Sequence, residues 1–104
     1  MMEKETDRIR VVVDEDLWDL IPNYLANRRR DVEAIGEALA AGDFEKIRGI
    51  GHKMKGSGGG YGFDEITSIG RGMEEAAKAG DGIAIRRELK RLDDYLGKVE
   101  VVKG

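Results

Sequence analysis

Apolar residues recur at steps of three, four and seven through most of the chain, which is the spacing of one face of a helix. The pattern predicts a short helical turn near residues 16–20, with Asp14 or Asp16 as its N-cap, and then a long helix over about 22–41. Pro22 suits the first turn of that helix because it has no N–H to leave unpaired. The predicted apolar face of the long helix comprises Ile21, Leu25, Val32, Ile35 and Leu39.

Three more helices follow. Two of the junctions between helices are marked by the same pair of residues, Gly followed by Asp. Gly42-Asp43 and Gly80-Asp81 each read as a helix stop followed by an N-cap. The predicted helices cover about 43–60, about 63–79 and about 82–98. Short links force consecutive helices to run antiparallel, so we expect an all-α, antiparallel up-and-down four-helix bundle with a short extra N-terminal helix. The predicted inward residues are Phe44, Ile47, Gly51, Met54, Gly58, Tyr61, Ile66, Ile69, Met73, Ala77, Ile85, Leu89, Leu92 and Leu96.

The two ends of the chain have a different pattern. Residues 9–13 and 99–102 are rich in β-branched side chains, so each is a candidate strand, and a small strand pair would join the termini. A two-stranded ribbon alone is marginal, so loose coil or helix tail stays an alternative for both segments. Residues 1–7 are polar and are expected to be frayed. We expect a single domain over residues 1–104, with the bundle at about 14–98.

Composition narrows the function. The 104 residues include 18 Lys and Arg against 21 Asp and Glu, a net charge of −3, and the signs are interleaved. No basic stripe is present, so nucleic-acid binding is disfavoured. The chain has no Cys, which excludes disulfides, thiolate metal sites and cysteine nucleophiles and fits a reducing compartment. No signal peptide or membrane span is evident, so we expect a cytoplasmic protein that does not bind membranes.

The least ordinary feature is a glycine cluster around the only histidine. Seven of the fourteen positions from Gly49 to Gly62 are Gly. On a helical wheel His52 lies about 200° from Met54, the centre of the inward face, so it is predicted to face water. Residues three, four and seven positions away are its neighbours on the helix surface. They are Glu45, Arg48, Gly49, Lys55, Gly56 and Gly59.

Glycine inside a helix costs roughly 0.5–1 kcal/mol relative to Ala, so several of them weaken this helix appreciably. Bare backbone is therefore expected to serve a purpose on both faces. Gly51 and Gly58 would let a neighbouring helix approach closely. The alternative is a flexible loop that splits the helix after Lys55. On the outer face, the absence of side chains at Gly49, Gly56 and Gly59 would leave space for a partner to approach the imidazole of His52.

The residues around His52 suit acceptance of a phosphoryl group. A neutral imidazole is a nucleophile that needs no separate base, and Arg48 and Lys55 offer positive charge to an incoming anion. The sequence contains no P-loop, no evident Mg²⁺ site and no second catalytic group, so ATP chemistry within this chain is disfavoured. One His without Cys also disfavours a transition-metal site, and we expect no bound metal.

These residues resemble a known family. The run from His52 through Lys55, Gly56 and Ser57, followed by Gly-Gly-Gly-Tyr-Gly-Phe, is similar to the His-x-x-Lys-Gly-Ser/Ala signature of histidine-containing phosphotransfer (HPt) domains. The helix junctions at Ala-Gly-Asp-Phe and from Met73-Glu74 to Asp81 also match, so the resemblance covers roughly residues 14–96. Three consecutive glycines after Ser57 depart from the family, which usually has Ala, Ser or larger residues there.

The resemblance implies a phosphorelay intermediate without kinase activity of its own. The phosphoryl group would pass reversibly between an aspartate of a response-regulator receiver domain and Nε2 of His52. Lys55 would assist with the phosphoryl charge, Gly56 would leave room for the receiver, and the receiver would bring Mg²⁺, so that the chain itself needs no cofactor. A histidine kinase is the second implied partner, and we expect a monomer. Arg48, Gly49, Gly59 and Ser57 complete the candidate binding residues.

Two other functions stay open. The alternatives are the phosphoacceptor domain of a chemotaxis-type histidine kinase and a docking module that is never phosphorylated. Helix-bundle carriers also need some apolar contact with a partner. Candidates for that contact are Leu17, Trp18, Ile21 and Tyr24, although Trp18 is equally suited to a place in the core.

Overall fold

The structure is a computed structural model that describes residues 8–104. The frayed segment predicted at residues 1–7 lies outside the described residues. Within them the chain is mostly helical, with α1 at Ile21–Ala40, α2 at Phe44–Gly58, α3 at Asp64–Lys78 and α4 at Gly82–Lys98. The remaining elements are strand β1 at Ile9–Val13, a 3₁₀ helix at Glu15–Leu20, a 3₁₀ turn at Gly59–Tyr61 and strand β2 at Val99–Lys103.

The predicted helix boundaries agree with the structure to within two residues, and the caps explain why. The side chain of Asp43 accepts a hydrogen bond from the Lys46 N–H at 3.1 Å, and Asp81 caps α4 in the same way. Gly42 and Gly80 end the preceding helices with φ of +71° and +64°, which L side chains rarely adopt. Of the two candidate caps for the first helical turn, the N-cap is Asp14.

The four helices pack around one apolar core, and most of the predicted inward residues lie in it. Val32, Leu39, Phe44, Tyr61 and Leu89 are only half-buried and pack against its edge. The fully enclosed side chains come from every helix and from β1, so the core joins all of these elements. They are Val13, Ile35, Ile47, Met54, Phe63, Ile66, Ile69, Met73, Ile85 and Leu92.

The predicted strand pair is confirmed, and coil at these positions is excluded. β1 and β2 run parallel, with Ile9 opposite Val99 and Val13 opposite Lys103. One face of the sheet rests on the bundle, because Val13 is 1% exposed whereas its neighbour Val12 is 63% exposed. The sheet therefore ties the segment before α1 to the segment after α4.

α2 and α3 make the closest contact between helices, and glycine makes it possible. A Cβ on Gly51 would lie 2.8 Å from the backbone N of Glu74, and one on Gly58 would lie 2.7 Å from the carbonyl oxygen of Phe63. The predicted role of both glycines is confirmed. Gly70 of α3, which the helical pattern did not indicate, makes an equally close contact, because a Cβ there would collide with the backbone N of Lys55.

The proposed break of α2 after Lys55 is not found, because the helix continues to Gly58 and a 3₁₀ turn follows. α2 therefore holds the whole signature from His52 to Ser57 on one rigid element. Across residues 8–104, no helix combines the length and apolar character that a membrane span requires.

Candidate functional site

His52 lies near the middle of α2 and points away from the core, as predicted. Its side chain is 66% exposed, whereas Gly51 and Met54 on the opposite side of the helix are buried. Within the described residues its Nε2 makes no hydrogen bond, and its Nδ1 makes one. The ring therefore presents Nε2 to solvent.

The partner of Nδ1 is Glu74 of α3, a residue whose contact with His52 the sequence analysis did not predict. Glu74 Oε2 lies 3.1 Å from His52 Nδ1, and Oε1 lies 2.8 Å from Lys55 Nζ. The Glu74 side chain is only 8% exposed. A sequence signal existed, because Glu74 follows Gly70 by four residues and precedes Ala77 by three, which places a carboxylate beside the inward face of α3.

The charge of Glu74 fixes the tautomer of His52. The hydrogen bond from Lys55 lowers the pKa of Glu74 below its ordinary value, and the bond from His52 lowers it further, against the opposing effect of burial. Glu74 is therefore ionised at neutral pH and can only accept. His52 must donate through Nδ1–H, so in the neutral ring the Nε2 lone pair is free and directed outward.

Both cations beside His52 are paired with carboxylates. Lys55 is held by Glu74, and Arg48 forms an ion pair with Glu45 one turn before it. The hydrogen bond with Glu45 raises the pKa of Arg48, and the same bond lowers the pKa of Glu45.

The space around Gly49 and Gly56 is unobstructed, since a Cβ at either position would meet nothing within 4 Å. Gly59 is exposed but is fixed to α3, because its N–H donates to Thr67 Oγ1 at 2.8 Å. Ser57 faces α1, where its Oγ lies 3.0 Å from the Tyr24 hydroxyl. The structure thus gathers His52, Lys55, Arg48, Gly49 and Gly56 on one face, and turns Ser57 and Gly59 toward the neighbouring helices.

The expected apolar contact residues are less available than predicted. Ile21 and Tyr24 are buried in the core, so proposing them as partner contacts was wrong. Leu17 and Trp18 are half-buried and pack against the core, and the Lys103 ammonium lies 5.6 Å from the centre of the Trp18 ring. The apolar face of α1 is packed in the core of the bundle, so little of it is exposed for contact with a partner.

The arrangement suits nucleophilic attack on an anionic electrophile. An outward Nε2 lone pair stands beside two cations and open backbone, and a buried carboxylate at Nδ1 stabilises positive charge on the ring. Within residues 8–104 there is no group of three or more His, Cys, Asp or Glu side chains that could hold a metal ion.

Comparison with curated proteins and with solved structures found no match in either. The family model for the Hpt domain does match, over residues 19–101. The match includes the four helices and the whole site, and leaves out β1, the beginning of the first 3₁₀ helix and the last two residues of β2. The chain therefore belongs to the Hpt domain family, the histidine-containing phosphotransfer modules of two-component signalling.

Proposed function

We propose that this chain is a phosphorelay intermediate whose phosphoacceptor is His52. Its Nε2 lone pair attacks the phosphorus of an aspartyl phosphate on a receiver domain, an N–P bond forms, and the P–O bond to the aspartate breaks. The aspartate leaves as a carboxylate. The reverse step returns the phosphoryl group to an aspartate, so transfer can run in either direction.

The observation that carries this proposal is the contact between His52 and Glu74. Because Nδ1 keeps its proton, attack through Nε2 leaves a positively charged ring, and the Glu74 carboxylate 3.1 Å from Nδ1 stabilises that charge. No base has to remove a proton before attack. The 66% exposure of the His52 side chain lets a second protein reach the nucleophile.

Lys55 and Arg48 would act on the charge of the phosphoryl group. Lys55 Nζ lies 2.8 Å from Glu74, and its side chain is 35% exposed, so a rotation about its flexible stem can bring the ammonium to a phosphoryl oxygen. Phosphoryl transfer asks mainly for positioning and charge neutralisation. Gly49 and Gly56 would leave space for the receiver, which supplies Mg²⁺, while Gly59 and Ser57 would support the site from its edges.

Further parts of the proposal concern the molecule as a whole. Links at residues 41–43 and 79–81 are short enough to favour antiparallel neighbouring helices. We place the chain in the cytoplasm as one monomeric domain that exchanges phosphoryl groups with a receiver domain and with a histidine kinase. The alternative is that it forms the acceptor domain of a chemotaxis-type kinase.

The test is transfer from a phosphorylated receiver to the purified chain, scored as label that is acid-labile and base-stable. We expect label on the wild-type chain and none on His52→Gln. Lys46→Gln is a matched control, because Lys46 is exposed in the first turn of α2 and its change leaves the nucleophile intact. Label that persists in His52→Gln excludes His52 as the acceptor. A chain that binds the receiver and is never labelled is a docking module instead.

A further inference from the structure

Arg28 of α1 is held in an unusual way for a residue outside the signature. Its Nε donates to Asp31 Oδ2 at 2.7 Å, and its guanidinium carbon lies 4.6 Å from the centre of the Tyr24 ring. Its side chain is only 15% exposed. Within residues 8–104 neither Nη1 nor Nη2 donates a hydrogen bond to protein, so two nitrogens of a fixed guanidinium stay available.

Tyr24 is itself a fixed platform for Arg28. Its ring stacks on Tyr61 with centroids 4.4 Å apart and on Phe63 at 5.7 Å, and its hydroxyl bonds to Ser57. An arginine side chain ordinarily loses rotamer freedom when it binds, and this one has already lost it. Ser57 of the signature thereby helps to set the position of a cation on the neighbouring helix.

Arg28 belongs to α1, which contacts α2 on the open side of His52. Lys53, Gly49 and Gly56 all lie on the same side of His52 around α2, at about 100°, 60° and 40° on a helical wheel. Ser57 lies further round on that side and contacts α1 through Tyr24. The opposite side of His52 is occupied by Lys55 and Glu74.

Lys53 also connects the two helices electrostatically. Burial raises the pKa of Asp31, and the charges of Arg28 and Lys53 lower it in part. Lys53 of α2 therefore stands close enough to the Arg28–Asp31 pair to act on it. A receiver that approaches Nε2 over Gly49 and Gly56 does so on the side of α2 that carries Lys53 and contacts α1.

We propose that Arg28 is a docking residue that pairs with a carboxylate of the receiver domain exchanging phosphoryl groups with His52. The inference rests on the proposed function, in which the receiver supplies Mg²⁺. Proteins hold Mg²⁺ with carboxylates, so the receiver surface around the phosphoryl group is acidic. A guanidinium with two available nitrogens matches a carboxylate in a bidentate geometry that lysine cannot reproduce.

The test compares Arg28→Gln with Arg29→Gln. Both remove one positive charge from α1, but Arg29 is exposed and lines a groove with Asp93 and Leu96 of α4. Receiver domains from the source organism, produced singly and phosphorylated with acetyl phosphate, serve as donors. We expect Arg28→Gln to lower kcat/KM for transfer about tenfold, through KM, and Arg29→Gln to change it less than about twofold. Arg28→Lys keeps the charge without the planar fork, and we expect it to recover only part of the loss.

Phosphoramidate, a small donor that needs no docking surface, separates docking from folding. We expect it to label His52 equally in the wild type and in Arg28→Gln. Equal loss with both donors would mean that Arg28 only supports the fold and would overturn the inference. Equal transfer by Arg28→Gln and Arg29→Gln would overturn it while the proposed function stands. A wild-type chain that neither binds nor accepts from any receiver overturns both.

Discussion

At the scale of single residues, Glu74 decides how His52 is presented, and its substitution tests that role. In Glu74→Gln the side chain keeps its shape but loses its charge, so it no longer requires a proton on Nδ1 and no longer ion-pairs Lys55. We expect transfer to His52 to slow by about 10- to 100-fold, as for other residues that orient a histidine. The ¹⁵N NMR spectrum of His52 should show Nδ1–H in the wild type and a mixture of tautomers in the variant. An unchanged tautomer would contradict the positioning role.

Exposed Glu75, the next residue in α3, supplies the matched control. Glu75→Gln makes the same change of charge without touching His52 or Lys55, so its spectrum and its transfer rate should match those of the wild type. A loss as large as that of Glu74→Gln would assign the effect to the net charge of α3.

Because the pKa of Glu74 is lowered in the folded state, the contribution of Glu74 to the free energy of unfolding depends on pH. A carboxyl whose pKa is lower in the folded state stabilises the fold above its ordinary value of 4.5, and this contribution is lost as the pH falls through the folded pKa. Asp31 has the opposite effect on stability. Burial raises its pKa in the folded state, so the charged form of Asp31 opposes folding when the pH is above that raised pKa. Urea unfolding from pH 7 to pH 3 should therefore show the difference between wild type and Glu74→Gln shrinking with acid. A difference that grows with acid would contradict the contact.

The residue scale is also where prediction from sequence succeeds and fails most clearly. The wheel placed His52 outward because exposure on a helix follows from its own neighbours in sequence. It did not find the partner of the ring, because Glu74 lies 22 positions away and meets His52 only after α2 and α3 pack. The contact of Ser57 with Tyr24 was also not predictable, because the two residues lie 33 positions apart and meet only in the folded bundle.

At the scale of elements, the close approach of α2 and α3 is what lets Glu74 reach His52, and glycine at position 70 permits it. A Cβ there would collide with the backbone N of Lys55 and lie 2.8 Å from the carbonyl oxygen of Gly51, neither of which can rotate away. We expect Gly70→Ala to lower the free energy of unfolding by about 2 kcal/mol or more, because the helices must separate. The measurement is urea denaturation followed by circular dichroism.

Gly36→Ala is the control for that experiment. Gly36 lies inside α1, and a Cβ there meets nothing within 4 Å. Alanine should therefore stabilise α1 by about 0.5–1 kcal/mol through its higher helix propensity. If both variants are stabilised, the α2–α3 contact is looser than described and Glu74 is not held in place by it.

Helix boundaries were predictable because their signals are local. Gly42-Asp43 and Gly80-Asp81 combine a positive φ with a capping carboxylate, and both act within one turn. The end of α2 was less well placed, because the glycines at 58–60 leave local preference weak. Packing of Gly58 against Phe63 and Thr67, and the turn at Gly62 with φ of +96°, decide where α2 ends.

At the scale of the whole molecule, the two strands connect segments that are 90 positions apart in sequence, Ile9 with Val99. Their β-branched composition predicted strands, but composition carries no information on whether paired strands run parallel. The direction follows from where α1 begins and α4 ends, which is a property of the assembled bundle. β1 also lies outside the matched range of residues 19–101, whereas His52 lies inside it.

Adjacent valines of β1 test what this strand contributes to stability. Val13 is 1% exposed and belongs to the core, whereas Val12 is 63% exposed. Val13→Ala should lower the free energy of unfolding by about 1–3 kcal/mol, because it removes buried methyl groups and leaves a cavity. Val12→Ala should change it by less than about 0.5 kcal/mol.

Two probes show whether sheet and bundle unfold as one unit. Trp18 reports on the sheet end, because Lys103 of β2 lies against its ring, and far-ultraviolet circular dichroism reports on the helices. Since Val13 shares one core with every helix, both probes should give the same midpoint in the wild type and in Val13→Ala. Transfer to His52 at temperatures where each variant is folded should be unchanged, because β1 contributes no residue to the site. Midpoints that separate, or a slower transfer, would show that β1 is a separate unit or reaches the site through α2.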